Sequence, residues 1–316
     1  MGITLADCRN DLLVWLVRRR RRFSSRVLSC LVLGAALIPG VALILGASPA
    51  TGGAQPFVAV ELSRSSVRQG EALGLFVRTS APAARVEIRF AGRRWPAYRA
   101  GESGWRTVLG TDPNTPPGRH TLTVEVSDLG LASLTARRTV TVVRVAFPRR
   151  EITFDPALAP LLTQEAAERE RRRVVQALRV LHPSHLWTDP FTLPLEGKLT
   201  SEYGVLSIYQ KQVRGFHGGV DIQAPPGTPV RSAGRGIVRL AEFLPLSGHA
   251  VLVDHGLGVV TSYLHMSEIG VRVGQKVGRG EILGRVGSTG LSTGPHLHWG
   301  LRVNGTKVDP MRWTTR

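Results

Sequence analysis

The stretch "GPHLHWGL", residues 294–301, places His296 and His298 two apart in a run that otherwise reads as a β-strand. Successive strand side chains point to opposite faces, so positions i and i+2 project together. Two imidazoles on one face make a poor core. They make either an ordinary wet surface or a means of aiming two nitrogens at one point, as a metal site requires. A His-x-His pair alone does not choose between these.

The surroundings bear on the choice. From Thr200 onward the pattern is all-β and dense in glycine, with short strands expected near 217–223, 236–243, 250–254, 258–264, 281–286 and 296–303. Six of the nine histidines lie between His217 and His298. "FHGGVDIQAPPGTPV" (216–230) holds His217 and Asp221 four apart; in a strand 217, 219 and 221 share a face, which brings imidazole and carboxylate together. Two nitrogens and one oxygen suit zinc, with the fourth position left for water. His217 and Asp221 supply two ligands and one histidine of "HLH" the third. The spare histidine, or His265 at the end of "SYLHMS" (262–267), is left to act on water or on a developing oxyanion. Thiolate ligands are excluded here, because the only cysteines, Cys8 and Cys30, lie near the N-terminus.

Together "HGGVD" (217–221), "VDHGLGVVTSYLHMS" (253–267), "VGQKVGRGEILGRVGSTG" (273–290) and "STGPHLHWGLRVNGTKVDP" (292–310) make residues 196–310 resemble the lysostaphin-type (LytM-like) zinc endopeptidases. The resemblance implies a duplicated-hybrid-motif fold, a β-sheet or barrel-like peptidase domain. It implies that His217, Asp221 and His298 bind one zinc per chain. His265 and His296 are then the catalytic pair, and peptidoglycan stems or cross-bridges the substrate. His255 reads as a turn histidine or a donor behind the site. The sequence also departs from the family pattern: the turn before the first ligand is "EYG" (202–204), Ser207 stands where an arginine is common, and His249 where an asparagine is frequent. These departures bear on substrate fit and leave the five key positions intact. Two other readings compete. Catalytically silent relatives scaffold other wall hydrolases, but they usually lose metal ligands, which this chain keeps. A biotinyl- or lipoyl-type carrier hairpin needs a lysine at a tight turn, and Lys276 lies before the turn.

The remaining chain supplies context. Its 316 residues, 42% apolar with 35 glycines, give room for two domains. The net charge is +18 and arginine provides 37 of 41 basic residues, a balance that attracts polyanions such as acidic lipid or an anionic wall. No recognition-helix, zinc-finger or base-stacking pattern is present, so nucleic acid is not an expected partner. Residues 1–26 form a basic N-terminus containing "RRRRRFSSR" (18–26), which the positive-inside rule keeps cytoplasmic. Residues 27–47 are uncharged and near the roughly 20 residues needed to cross a bilayer. They form either a transmembrane signal anchor or a signal peptide cut near "ASPATGGA" (47–54). Either outcome exports the remainder to the cell envelope, in contact with membrane, wall and other envelope proteins.

Residues 55–147 alternate with period two between proline- and glycine-rich turns, the pattern of an immunoglobulin-like β-sandwich. Residues 148–190 switch to helical period, with Asp155 as the expected N-cap, Pro156 at the first helical position and Pro183 as the stop. This connector helix leads into the peptidase domain, 191–316. The fold class expected is mainly β: sandwich, connector helix and peptidase domain behind an N-terminal transmembrane helix.

Overall fold

The computed structural model describes residues 57–80, 85–127, 133–151, 153, 161, 163–209 and 212–314. The apolar segment 27–47 lies outside these, as do Asp155 and Pro156. Among the described residues no helix is long and apolar enough to cross a membrane.

The alternating N-terminal runs form two sheets. One orders the strands Val58–Leu62, Ala72–Thr79, Gly104–Gly110 and Tyr98–Arg99; the other Ser66–Arg68, Leu134–Val143, Gly118–Ser127, Arg85–Phe90 and Arg93–Trp95. Period-two alternation sends Leu73, Leu75 and Val77 from the first sheet, and Leu122, Val124 and Val140 from the second, into one buried cluster.

The C-terminal part is built on a larger sheet. Its strand order is Lys198–Ser201, Gly219–Gln223, Leu297–Val303, Val259–Ile269, Gly248–Gly256, Gly236–Leu244 and Lys276–Val277. The two faces of this sheet differ. Val220, Ile222, Tyr263, Leu297 and Trp299 enter a core continuous with that of the sandwich. On the other face, Leu240, Leu244, Leu252 and Val260 are covered by Val174, Ala177 and Leu178 of the connector helix. Phe191 pairs with Thr314 and packs between Trp187 and Trp313.

The described part of the connector holds a helix and a strand. Its helix spans Gln164–Ala177, and its N-cap is Thr163, whose Oγ1 accepts from the Ala166 N–H at 3.2 Å. Before the helix, Arg149–Glu151 forms a strand that pairs in parallel with Leu206–Tyr209, itself paired with Gln212–Phe216. After the helix, Asp254 accepts from the His182 N–H at 2.7 Å and is clamped by Arg239 at 2.8 Å. The connector is therefore woven into the C-terminal part at several points.

The sandwich also docks directly. The Tyr98 hydroxyl donates to Asn304 Oδ1 at 2.8 Å, and Asn304 Nδ2 donates to the Val108 carbonyl at 2.9 Å. Asn304 turns the chain at φ +47°, in a left-handed region that asparagine tolerates better than most residues.

Candidate active site

Asp221 and His298 are direct cross-strand partners in the antiparallel pair Gly219–Gln223 and Leu297–Val303. Opposed residues share a face and lie close together, so this register alone brings carboxylate and imidazole into contact. His298 Nδ1 lies 2.9 Å from Asp221 Oδ1. His217 arrives differently. Its strand neighbours end at Phe216 and begin at Gly219, so it sits in the join between them, not on a strand face. Backbone bonds fix that join: His217 N to the Val205 carbonyl at 2.8 Å, and Gly204 N to the His217 carbonyl at 2.9 Å. His217 Nε2 then lies 3.0 Å from Asp221 Oδ1 and 3.0 Å from His298 Nδ1.

The three donor atoms thus form a nearly equilateral triangle. Among the described residues these three are the group of His, Cys, Asp or Glu that could hold a metal. The other His217 nitrogen, Nδ1, faces the Glu202 carbonyl at 2.9 Å and so carries the proton, which leaves Nε2 as the lone-pair donor. Burial alone would raise the Asp221 pKa, but the His217 and His298 rings beside it outweigh burial and hold the carboxyl well below the usual range. Burial pushes His298 down to about 4. A carboxylate and unprotonated imidazoles at this spacing are the donor set that zinc takes, so the residues present fit the metal.

Gly219 makes the close approach feasible. A Cβ there would lie 2.4 Å from the Trp299 carbonyl oxygen and 2.8 Å from His298 Nε2.

His265 and His296 flank the triangle. His296 stands one residue short of the strand Leu297–Val303 that carries His298, in an isolated bridge to Gly287. His296 Nε2 nevertheless reaches within 3.8 Å of Asp221 Oδ1. For His265, strand alternation predicts the wrong direction. Leu264 pairs with His298 and shares its face, so an unbroken strand would turn residue 265 to the core side. His265 instead has φ +64°, which breaks the alternation, and its ring centroid lies 4.9 Å from that of His296 and 6.2 Å from that of His298. A non-glycine residue in this region is strained and must be held. Its N–H donates to the Ser247 carbonyl at 2.9 Å, and Nδ1 meets the Thr289 carbonyl at 2.8 Å.

Both flanking rings present the same tautomer. His265 Nδ1 faces the Thr289 carbonyl and His296 Nδ1 faces the Gly294 carbonyl at 2.7 Å, so each Nδ1 carries the proton and each Nε2 is open. Burial, reinforced by His298 and His296, pushes His265 down to about 3 and keeps it neutral.

The other histidines stay apart from this group. His255 is not in a turn: it is buried in the strand Gly248–Gly256, with Nδ1 on the Arg235 carbonyl at 2.8 Å and Nε2 on Thr261 Oγ1 at 2.7 Å. His249 packs edge-on against Phe243.

Sequence reading missed the residues that hold His265. The turn carrying Ser247 is bound by the connector helix: Glu170 Oε2 accepts from the Leu246 N–H at 2.8 Å and the Ser247 N–H at 3.3 Å, and Oε1 from the Ser247 hydroxyl. Within "ERERRR" nothing distinguishes Glu170 from its solvated neighbours.

With this geometry established, comparison with known proteins is decisive for part of the chain. Residues 215–310 match peptidase family M23. They are an M23 peptidase domain. Over 96 residues, 30% of this chain, the sequence is 46% identical to the peptidoglycan DD-endopeptidase ShyA of Vibrio cholerae. Over 96 residues it is 45% identical to the DD-carboxypeptidase/endopeptidase Mpg of Neisseria meningitidis. Both matches span 22% of the relative's own length. A longer match, 32% identical over 212 residues, covers 65% of this chain and 32% of the cell division protein DipM of Caulobacter vibrioides. Among solved structures, a putative M23 peptidase from Pseudomonas aeruginosa superposes with a TM-score of 0.52 at 29% identity, covering 72% of this chain and 86% of that one. That superposition reaches beyond the M23 domain of this chain.

Proposed function

We propose that this protein is a zinc-dependent endopeptidase that hydrolyses peptide bonds in the stems or cross-bridges of peptidoglycan. The observation that carries the reading is the triangle of His217 Nε2, Asp221 Oδ1 and His298 Nδ1, with two further imidazoles beside it. The names of the relatives as DD-endopeptidases support the substrate class.

His217, Asp221 and His298 hold the metal. Zinc bound there supplies Lewis acidity, which acidifies water and polarises a carbonyl oxygen. The chain's own residues do the rest. The open Nε2 of His265 or His296 takes the proton of the attacking water, and the N–H so formed donates to the oxyanion that develops or delivers the proton to the leaving nitrogen. Their Nδ1 protons, committed to backbone carbonyls, keep both rings from rotating during the reaction.

Export through residues 27–47 belongs to the same proposal, with the sandwich and peptidase domain facing the wall and the net charge of +18 favouring an anionic polymer. The test is digestion of purified sacculi of known chemistry by the zinc-replete full chain, with fragments identified by mass. Release of peptide-cleaved fragments is expected, and intact sacculi would overturn the reading. N-terminal sequencing of the mature protein separates an anchor, starting before Val27, from a cleaved signal.

A further inference from the structure

The strand Arg149–Glu151 belongs to the linker, outside the M23 match, yet it reaches the catalytic cleft. Arg150 is exposed and forms one wall of a polar cleft of about 270 Å³. Thr200, Asp221, Gln223 and residues 293–296 line the same cleft. A peptide whose reacting carbonyl sits beside Asp221 and His296 therefore has Arg150 in the cleft with it.

The backbone places Arg150 there. Residues 149–151 run in parallel register with 206–208, and the Leu206 N–H donates to the Pro148 carbonyl at 2.8 Å. Phe147 anchors the segment edge-on to Tyr203 and Phe216, and it lies so close to Gly204 that a Cβ there would come within 2.2 Å of its ring. Paired residues of parallel strands project to one face, and Arg150 pairs with Ser207. The linker thus places Arg150 beside Ser207 on one face.

The guanidinium has no hydrogen bond or ion pair among the described residues. The other charge in the cleft, Asp221, is already engaged by His217 and His298. A guanidinium held in a cleft by its backbone, without a partner among the described residues, is suited to one planar anion, the carboxylate, which it can bind through two parallel hydrogen bonds.

We propose that Arg150 is a specificity-determining residue that binds a carboxylate of the peptide substrate, either a chain terminus or an acidic side chain. The proposal rests on the peptidase reading for the identity of the ligand as a peptide. Its test does not require turnover.

Three synthetic stem-type peptides serve as probes: one with a free terminal carboxylate and an acidic side chain, one amidated at the terminus, and one amidated at the side chain. Equilibrium binding to the full chain is measured for the parent, Arg150→Gln and Arg150→Lys, with zinc content as a control and fragment release read separately by mass. The parent is expected to bind the unamidated peptide roughly tenfold or more tightly than at least one amide, the loss expected for a charge-assisted hydrogen bond. The arm that loses affinity identifies the source of the carboxylate. Arg150→Gln should bind all three peptides alike, and Arg150→Lys should keep part of the preference, having charge without the fork. The proposal is overturned if the parent binds all three alike or none of them, or if Arg150→Gln weakens every peptide equally. Hydrolysis without discrimination would refute this role and leave the peptidase reading standing. Discrimination that vanishes in Arg150→Gln, without hydrolysis, would do the reverse.

Discussion

Replacing Glu170 by alanine should slow the reaction although the residue touches neither metal nor substrate. Its carboxylate takes three hydrogen bonds from the turn at 246–247, and Ser247 in turn accepts the His265 N–H at 2.9 Å. The same turn holds the loop after Thr289, because the Leu246 carbonyl accepts from the Leu291 N–H at 2.8 Å. Hydrogen bonds to a charged acceptor contribute roughly 1.5–3 kcal/mol each when dry; Glu170 is half-exposed, so about 2 kcal/mol in total is a fair expectation after solvent screening. The strain of His265 at φ +64° amounts to about 1–3 kcal/mol, comparable to the support removed. The imidazole should then sample relaxed positions, and small misplacements of a proton-transfer group lower kcat by roughly tenfold or more. The assay pairs denaturant unfolding with steady-state hydrolysis of a soluble peptide. Expected are lower stability, lower kcat at unchanged KM, unchanged zinc content, and partial rescue by Glu170→Gln, which keeps one acceptor oxygen. A Glu170→Ala protein that loses stability but turns over at the parental kcat would refute the idea that the helix positions His265.

His217→Ala should lose zinc, measured by metal analysis, whereas His265→Ala and His296→Ala should keep it and lose turnover by roughly 10²–10⁴-fold. Loss of zinc from His296→Ala as complete as from His298→Ala would show the ligand assignment to be wrong. Gly219→Ala drives a Cβ to 2.4 Å from the Trp299 carbonyl oxygen, so zinc affinity should fall by roughly 10–100-fold in a competitive chelator titration. Burial holds His255 at about 4 against an unfolded value near 6.5, so below that value the unfolded chain binds the proton that the folded chain refuses. Stability should therefore fall as pH drops from about 6.5 to 4, by about 3 kcal/mol from this residue. Unfolding midpoints should show a shallower acid slope in His255→Gln than in the parent.

The cluster of candidate site residues was legible in the sequence because residue type and spacing carry it. His217, Asp221, His265, His296 and His298 stand at the positions that the resemblance implied, and all five converge. Strand periodicity, which depends only on side-chain alternation, located the β-rich regions and the strands on either side of the site. It did not give the backbone placement of three of the histidines. His217 sits in a join between strands, His296 in a bridge outside its strand, and His265 reaches the site only through a left-handed residue. Such placements depend on hydrogen bonds to Val205, Gly287 and Ser247, which are distant in sequence, so no local pattern announces them. For the same reason only the tertiary structure separated Glu170 and Arg150 from the many other charges of the connector. One grips the turn behind His265 and the other lines the cleft, because the fold brings a helix and a short parallel strand across the peptidase sheet. Sequence sets which groups can react; long-range backbone pairing decides which of them meet.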